Sequence, residues 1–218
     1  MKKRTIALLL ACMMVVGVAA GGTIAWLTAK TDSVVNTFTI GNITLNLAET
    51  DDGDGNLLAN AYKLSPGGNI AKDPVVTVGG NSEACYLFIR VDEANTTVDT
   101  VKVVDYAIAD GWTLYKENGA DGIPTGATFY YKTGNVAASA DAQSFEVLAC
   151  KKGKADTHST CKGCVDFPDT ITEGMIQTIN TTNPKLTFTA AAIQQANLNT
   201  IDAAWAALPA AFTGIAAP

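Results

Sequence analysis

Short β-prone runs separated by turn dipeptides recur along this chain, and they constrain its fold more than any other feature. Turns are indicated at Asn118-Gly119, Asp121-Gly122 and Gly134-Asn135, because Gly and Asn tolerate a positive φ. The runs are rich in β-branched and aromatic residues and cover 75–78, 85–91, 98–106, 112–116, 128–132, 144–150, 175–179 and 185–193. Strands do not alternate with helices, so the pattern predicts an all-β fold, an antiparallel jelly-roll-like β-sandwich.

One helix is predicted near the C-terminus. Thr200 or Asn199 can cap it, since a side-chain oxygen at that position accepts a hydrogen bond from a free backbone N–H. Apolar residues follow at helical spacing, at Ile201, Trp205 and Leu208. Pro209 cannot continue a helix and ends it. We therefore expect a short C-terminal helix that packs on an open end of the sandwich.

The first residues have the layout of a secretory signal peptide. Lys2, Lys3 and Arg4 precede an apolar run over 6–20, and such positive charges stay on the cytoplasmic side. Small residues place cleavage between about 20 and 29. An uncleaved anchor is the alternative, because 6–27 supplies 22 residues and about 20 span a bilayer. The expected organisation is a signal peptide over 1–29, an N-terminal β arm over 30–41 and one sandwich domain over 42–218.

A break in side-chain alternation separates the arm from the domain. Apolar residues fall on even positions before the break, at Phe38 and Ile40, and on odd positions after it, at Ile43, Leu45 and Leu47. A strand repeats every two residues, so one register cannot bury both sets. Gly41-Asn42 at the break indicates a hinge or a bulge, and we favour a hinge. The candidate assembly residues of the arm are Val35, Thr37, Phe38, Ile40 and Gly41.

The charge balance excludes some partners. The formal net charge is −6, and loss of Lys2, Lys3 and Arg4 with a signal peptide changes it to −9. Nucleic acid needs Lys and Arg to neutralise its phosphates, and anionic membrane surfaces attract basic segments. Neither is an expected partner of the mature chain.

Several blocks resemble the TasA/camelysin (CalY) family of Gram-positive bacteria. The most specific are GGTIAWLT at 21–28 and NTFTIGNITL at 36–45. Others are LSPGGNIAKDPVVTV at 64–78, EACYLFIRV at 83–91 and LTFTAAAIQQ at 186–195. The resemblance implies processing by a SipW-type signal peptidase and a place in the extracellular matrix or on the cell surface. It also implies a secreted biofilm-matrix protein that forms homopolymeric fibres by exchange of N-terminal strands, with other matrix or cell-wall components as further partners.

Four residues have the character of ligands: Cys150, His158, Cys161 and Cys164. The two-residue gap between Cys161 and Cys164 allows both sulfurs to reach one zinc ion, with Cys150 and His158 completing a structural site. A disulfide from Cys150 to Cys161 or Cys164 is the favoured reading, since disulfides are permitted in an exported protein, and free thiols are a third. The cluster lies in an expected loop at 150–164.

Two further patterns are weaker. Cys85 lies within an apolar run and is expected to be a small buried hydrophobe. Asp52, Asp54 and Asn56 have the spacing of the first three ligands in a calcium loop, but Leu57 stands where such a loop needs Gly. We favour a solvated loop there and expect no cofactor.

Hydrolytic machinery is missing from the sequence. His158 is the one histidine in the chain, so the His-Glu-x-x-His pair of zinc peptidases is impossible. The resemblance to camelysin implies a cell-surface metallopeptidase as one alternative function, and a monomeric surface-adhesion or ligand-binding module is another. We expect a protein that is not an enzyme.

Overall fold

Antiparallel β-sheets dominate the structure, a computed structural model that describes residues 42–50, 65–120, 122–150 and 163–215. The strands are β1 (Leu45–Ala48), β2 (Asn69–Ala71), β3 (Val75–Val78), β4 (Cys85–Ala94), β5 (Thr97–Val98), β6 (Val101–Lys102), β7 (Asp105–Ile108), β8 (Trp112–Lys116), β9 (Ala127–Lys132), β10 (Gln143–Glu146), β11 (Leu148–Ala149), β12 (Cys164–Asp166) and β13 (Lys185–Gln194). The helices are α1 (Glu173–Thr182), α2 (Ile201–Ala206) and α3 (Ala210–Thr213). The predicted all-β fold with a short C-terminal helix is confirmed.

The strands form three main sheets and one hairpin. The first sheet has the order β1-β3-β10, the second β13-β4-β9-β8 and the third β11-β7-β12-β2, while β5 and β6 pair with each other. Every ladder is antiparallel. These described residues belong to one compact unit, Gly41–Pro218.

Strand β4, whose sequence is almost wholly apolar over 85–91, is covered on both faces. Leu87 and Ile89 face a cluster shared with β3, while Phe88 faces a second cluster that includes the C-terminal helices. All three side chains are essentially inaccessible. Burying a side chain of this size contributes about 1.5–3 kcal/mol, so the two faces of β4 together account for much of the core.

The C-terminal helices cover the outer face of the second sheet. The hydroxyl of Thr200 accepts a hydrogen bond from the Ala203 N–H at 3.1 Å and so caps α2, as predicted. The Trp205 ring then packs against Phe129 and Tyr115, with centroids 4.9 and 5.1 Å apart. A further short helix, α3, begins after Pro209. The sequence patterns did not predict it.

The prediction of a strand over 175–179 is wrong, because this segment lies within helix α1. The Thr172 hydroxyl accepts from the Met175 N–H at 3.3 Å, and Asn183 ends the helix in the left-handed region. Met175 and Ile179, four residues apart, are both buried against the third sheet. The cap and the four-residue spacing override the β propensity of the β-branched residues here.

Two predicted strands are each divided. The run over 98–106 becomes β5, β6 and the start of β7, because Asp99 and Thr100 have φ of 48° and 68° and form a tight turn. The run over 144–150 becomes β10 and β11, which pair with different sheets. None of the described helices is long and apolar enough to cross a membrane.

Candidate functional site

The strand that follows the predicted arm lies at a sheet edge. The Gly79 N–H donates to the Thr44 carbonyl at 2.8 Å, and the β1–β3 register continues in steps of two. Even-numbered residues of β1 therefore bond to β3, whereas the N–H and C=O groups of Leu45 and Leu47 point away from it. Within the described residues β1 pairs with β3 alone, so none of these residues occupies its outer edge; in this sense we call the edge open.

Strand β13 is also an edge strand, and it is much longer. The Gln195 N–H donates to the Ala84 carbonyl at 2.8 Å, so odd-numbered residues bond to β4. The backbone groups of even-numbered residues such as Ala190 and Ala192 point away from β4. Across the part of the chain that is described, β4 is the only ladder partner of this ten-residue strand.

These two open edges lie side by side. Cα atoms of β1 and β13 approach within 8 Å, yet no ladder joins the strands. Both strands, together with Ile43 just before β1, contribute half-buried apolar side chains to the cluster between the first two sheets: Ile43, Leu45, Leu47, Phe188, Ala190 and Ala192. The predicted burial of the odd-numbered set after Gly41-Asn42 is thus confirmed. We call this pair of open edges the β1–β13 seam.

Side-chain contacts bridge the opposite side of the sandwich, where β8 lies beside β10. The Trp112 indole N–H of β8 donates to the Glu146 carbonyl of β10 at 2.8 Å, and the Lys132 ammonium lies 5.2 Å above the Phe145 ring. A register shift between Leu114 and Lys116 also bulges β8, and bulges protect sheet edges from pairing with other chains. Among the described residues, side chains therefore bridge β8 and β10, whereas no ladder joins β1 and β13.

A buried ion pair fastens one end of the seam. The Lys72 ammonium lies 2.6 Å from the Glu49 carboxylate, and both side chains are 11% exposed. The same ammonium lies 5.4 Å from the centre of the Phe188 ring of β13. The residue after β1 is thereby tied to β13. The sequence did not indicate this contact, because the two residues are 23 positions apart and belong to no common motif.

The predicted assembly residues Val35, Thr37, Phe38, Ile40 and Gly41 lie outside the described residues, as do Asp52, Asp54 and Asn56 of the calcium-loop pattern. The structure places the chain from Asn42 onwards. The Asn42 carbonyl accepts from the Glu83 N–H at 3.0 Å, and the Thr44 N–H donates to the Ser82 hydroxyl at 3.1 Å. The first described residues are therefore already fixed to the domain beside the seam.

Three cysteines are among the described residues: one is disulfide-bonded and two are buried free thiols. Cys150 is disulfide-bonded, whereas Cys85 and Cys164 are free and buried. Cys164, one of the two predicted partners of Cys150, is thus not its partner, and it is a free thiol because β12 places it in a sheet with its Sγ 3.8 Å from the Ala149 carbonyl. Cys161 and His158 lie outside the described residues. Burial raises the pKa of the Cys85 thiol, which suits an inert core residue.

One cluster of titratable groups joins the second and third sheets. The Glu93 carboxylate of β4 accepts from the Tyr106 hydroxyl at 2.5 Å, from Thr96 at 2.9 Å and from Lys102 at 3.0 Å. Burial opposes ionisation of Glu93, but these hydrogen bonds hold its pKa below the ordinary value. Burial and the bond to Glu93 raise the pKa of Tyr106. A carboxylate that already accepts three donors is a structural clamp and a poor general base.

Within the described ranges, no group of three or more His, Cys, Asp or Glu side chains is placed to hold a metal ion. Comparison with known proteins finds no matching family model, no matching curated protein and no matching solved structure. The functional conclusion therefore rests on the sequence and on the geometry of the seam.

Proposed function

We propose that this protein is a secreted, self-assembling structural protein of an extracellular or biofilm matrix. Its copies join when the N-terminal arm of one adds as a strand at the β1–β13 seam of the next. The observation that supports this most is the open ten-residue edge of β13 beside the strand that directly follows the arm. Unpaired strand edges are ready templates for another chain.

The arm and the edge match in length and chemistry. Residues 31–40 are equal in number to the residues of β13, and over the last four of them Thr37 and Thr39 alternate with Phe38 and Ile40. Backbone hydrogen bonds to the outward groups of β13 would give affinity. Phe38 and Ile40 would pack beside half-buried residues such as Phe188 and so set the register.

The place where the chain enters the domain, at Asn42 beside β1, would permit exchange between copies. An arm that leaves β1 at the seam can lie in the seam of its own domain or in that of a neighbour. Both arrangements make the same kinds of contact, so protein concentration and strain at the Gly41 hinge decide between them. Head-to-tail exchange does not close on itself and produces filaments.

Processing is part of the proposal. A signal peptide attached to the arm would block its insertion, so cleavage by a SipW-type peptidase would restrict polymerisation to the outside of the cell. This agrees with the sequence resemblance to the TasA/camelysin family and with a mature chain that starts between about 20 and 29.

The experiment compares the mature protein with a variant that lacks all residues up to Ile40. Electron microscopy and sedimentation should show filaments of the mature protein and a folded, non-polymerising variant. A peptide of residues 31–40 should bind the shortened domain and keep it monomeric, whereas a peptide of the same composition in scrambled order should not. Filaments of normal length from the shortened protein would refute the mechanism.

A pair of point variants tests the register of the arm. Phe38→Asp should prevent filaments, because an unpaired carboxylate in an apolar groove costs several kcal/mol, about 2–7 for a polar group and more for a charge. Thr39→Asp carries the same charge on the opposite face of the arm and should still polymerise. Equal loss of filaments in both variants would show that charge alone, and not the packing of Phe38, blocks assembly.

A further inference from the structure

Three oxygen-bearing side chains lie in one row across the third sheet. Asp166 of β12 is directly opposite Asn69 of β2 on one side and Asp105 of β7 on the other. Directly opposite residues in antiparallel strands point to the same face, with Cβ atoms about 4.5–5.5 Å apart. The side chains come from positions up to 97 residues apart in the chain.

The middle residue of this row is a buried carboxylate with little compensation. Asp166 is 9% exposed, and its carboxylate accepts one hydrogen bond from the described residues, from the Asn69 amide at 2.8 Å. None of the ion pairs among these residues includes Asp166. Buried charges in proteins are generally paired or bind a metal ion, because an uncompensated one is very costly.

The side-chain amide of Asn69, next to Asp166, also lacks a partner for one of its atoms. The Oδ1 atom of Asn69 is buried and has no hydrogen-bond partner, although its amide nitrogen contacts Asp166. Exchanging the oxygen and nitrogen positions of the Asn69 amide would not give the buried atom a partner. It would place Oδ1 against a carboxylate oxygen and leave the buried nitrogen without an acceptor. A cation beside these residues would bind Oδ1 of Asn69 and the carboxylate of Asp166 at the same time.

We infer that Asn69, Asp105 and Asp166 hold a calcium ion. The donors are all oxygens, which hard cations prefer, and calcium accepts six to eight such ligands at about 2.3–2.6 Å, with water or carbonyl oxygens completing the set. A carboxylate has about four acceptor positions, so Asp105 can bind the ion and keep its other contacts. The cation also offsets the repulsion between two carboxylates that face each other across a ladder.

This site differs from the pattern at Asp52, Asp54 and Asn56, which is contiguous in sequence. Its ligands are two carboxylates and one amide. The absence, among the described residues, of a group of three or more His, Cys, Asp or Glu side chains placed to hold a metal does not bear on it, because Asn69 is none of these residue types. Extracellular calcium modules have dissociation constants of about 0.1–1 mM. At about 10 mM calcium, such a constant raises Tm by roughly 3–10 °C for a domain of this size.

Thermal unfolding and calorimetry of the full mature protein test the proposal. The wild type should bind one calcium per chain, and its Tm should rise by this amount in 10 mM calcium chloride relative to EDTA. Potassium chloride of equal ionic strength should not raise it. Asp166→Asn should abolish the response and raise the Tm in EDTA, because it removes a buried charge. Asp169→Asn, an exposed carboxylate three residues away, should respond as the wild type does.

Asn69→Ala provides a second variant that keeps both carboxylates, and it should weaken calcium binding at least threefold. The proposal is overturned if the wild type shows neither binding heat nor a calcium-dependent Tm. It is equally overturned if Asp166→Asn still binds calcium, or if potassium chloride reproduces the rise in Tm.

Discussion

Proline substitutions at two neighbouring residues of β13 distinguish the edge that faces the seam from the edge that faces β4. By the register of the sheet, the N–H of Thr189 bonds to the Arg90 carbonyl, whereas the N–H of Ala190 points into the seam. Proline removes the N–H and is tolerated on strands only where that group is not needed by the sheet. Ala190→Pro therefore changes the seam, and Thr189→Pro changes the domain.

The two variants should differ in stability by a measurable amount. Thr189→Pro loses a ladder bond and leaves a carbonyl on the central strand without its donor, which costs about 2–4 kcal/mol. Ala190→Pro loses no bond within the sheet, and its cost should stay below about 1 kcal/mol. For a domain of this size, 1 kcal/mol corresponds to roughly 2–4 °C in Tm, so the Tm values should be well separated.

The more stable of the two variants, Ala190→Pro, should be the one that loses filament formation. Ala190→Pro should fold normally and fail to polymerise, because the arm of the next copy meets a missing donor and a ring at the middle of the edge. Urea unfolding and electron microscopy of the same preparations measure both properties. A stable Ala190→Pro protein that forms filaments as long as those of the wild type would show that β13 is not the edge that receives the arm.

Other predictions concern the fold. Tyr106→Phe should lower the free energy of unfolding by about 1.5–3 kcal/mol in urea titrations, since it removes a bond to a charged group, whereas Tyr131→Phe, whose hydroxyl has no partner among the described side chains, should cost less than about 0.5 kcal/mol. Because the pKa of Glu93 is depressed, its contribution is present above the ordinary glutamate value of 4.5 and should be lost as the pH falls below it; Glu93→Gln should remove that part of the pH dependence. Peptide mapping without reduction should join Cys150 to Cys161, and recovery of Cys150 as a free thiol would contradict this.

Sequence patterns predicted the elements whose burial is regular. The alternation of Ile43, Leu45 and Leu47 and the continuous apolar run of β4 each depend on one strand and its nearest layer, so local periodicity suffices. Helix α1 was missed because its β-branched residues favour a strand, and the capping contact of Thr172 became clear only with the structure. Strands β2 and β12 have three residues each, too few for periodicity to indicate them.

The candidate sites were less accessible from sequence. The open edges of β1 and β13 depend on which strands become neighbours, and the ion pair of Glu49 and Lys72 depends on how two loops meet. The row of Asn69, Asp105 and Asp166 follows from the register of strands distant in sequence. A one-residue shift of β12 would turn Asp166 to the opposite face. No local motif carries that information.

The bond from the Trp112 indole to the Glu146 carbonyl has a consequence for the shape of any assembly. If the seam receives the arm, as proposed, each subunit has one donor, its arm, and one acceptor, its seam, while the bridge between β8 and β10 hinders pairing on the other side. A subunit with one donor and one acceptor can extend a filament at its ends but cannot begin a branch from its side. The resulting threads would be unbranched and one subunit wide. The two ends of a filament would differ. One would have a seam without an arm bound in it, and the other an arm not bound to a neighbour, so growth would be directional.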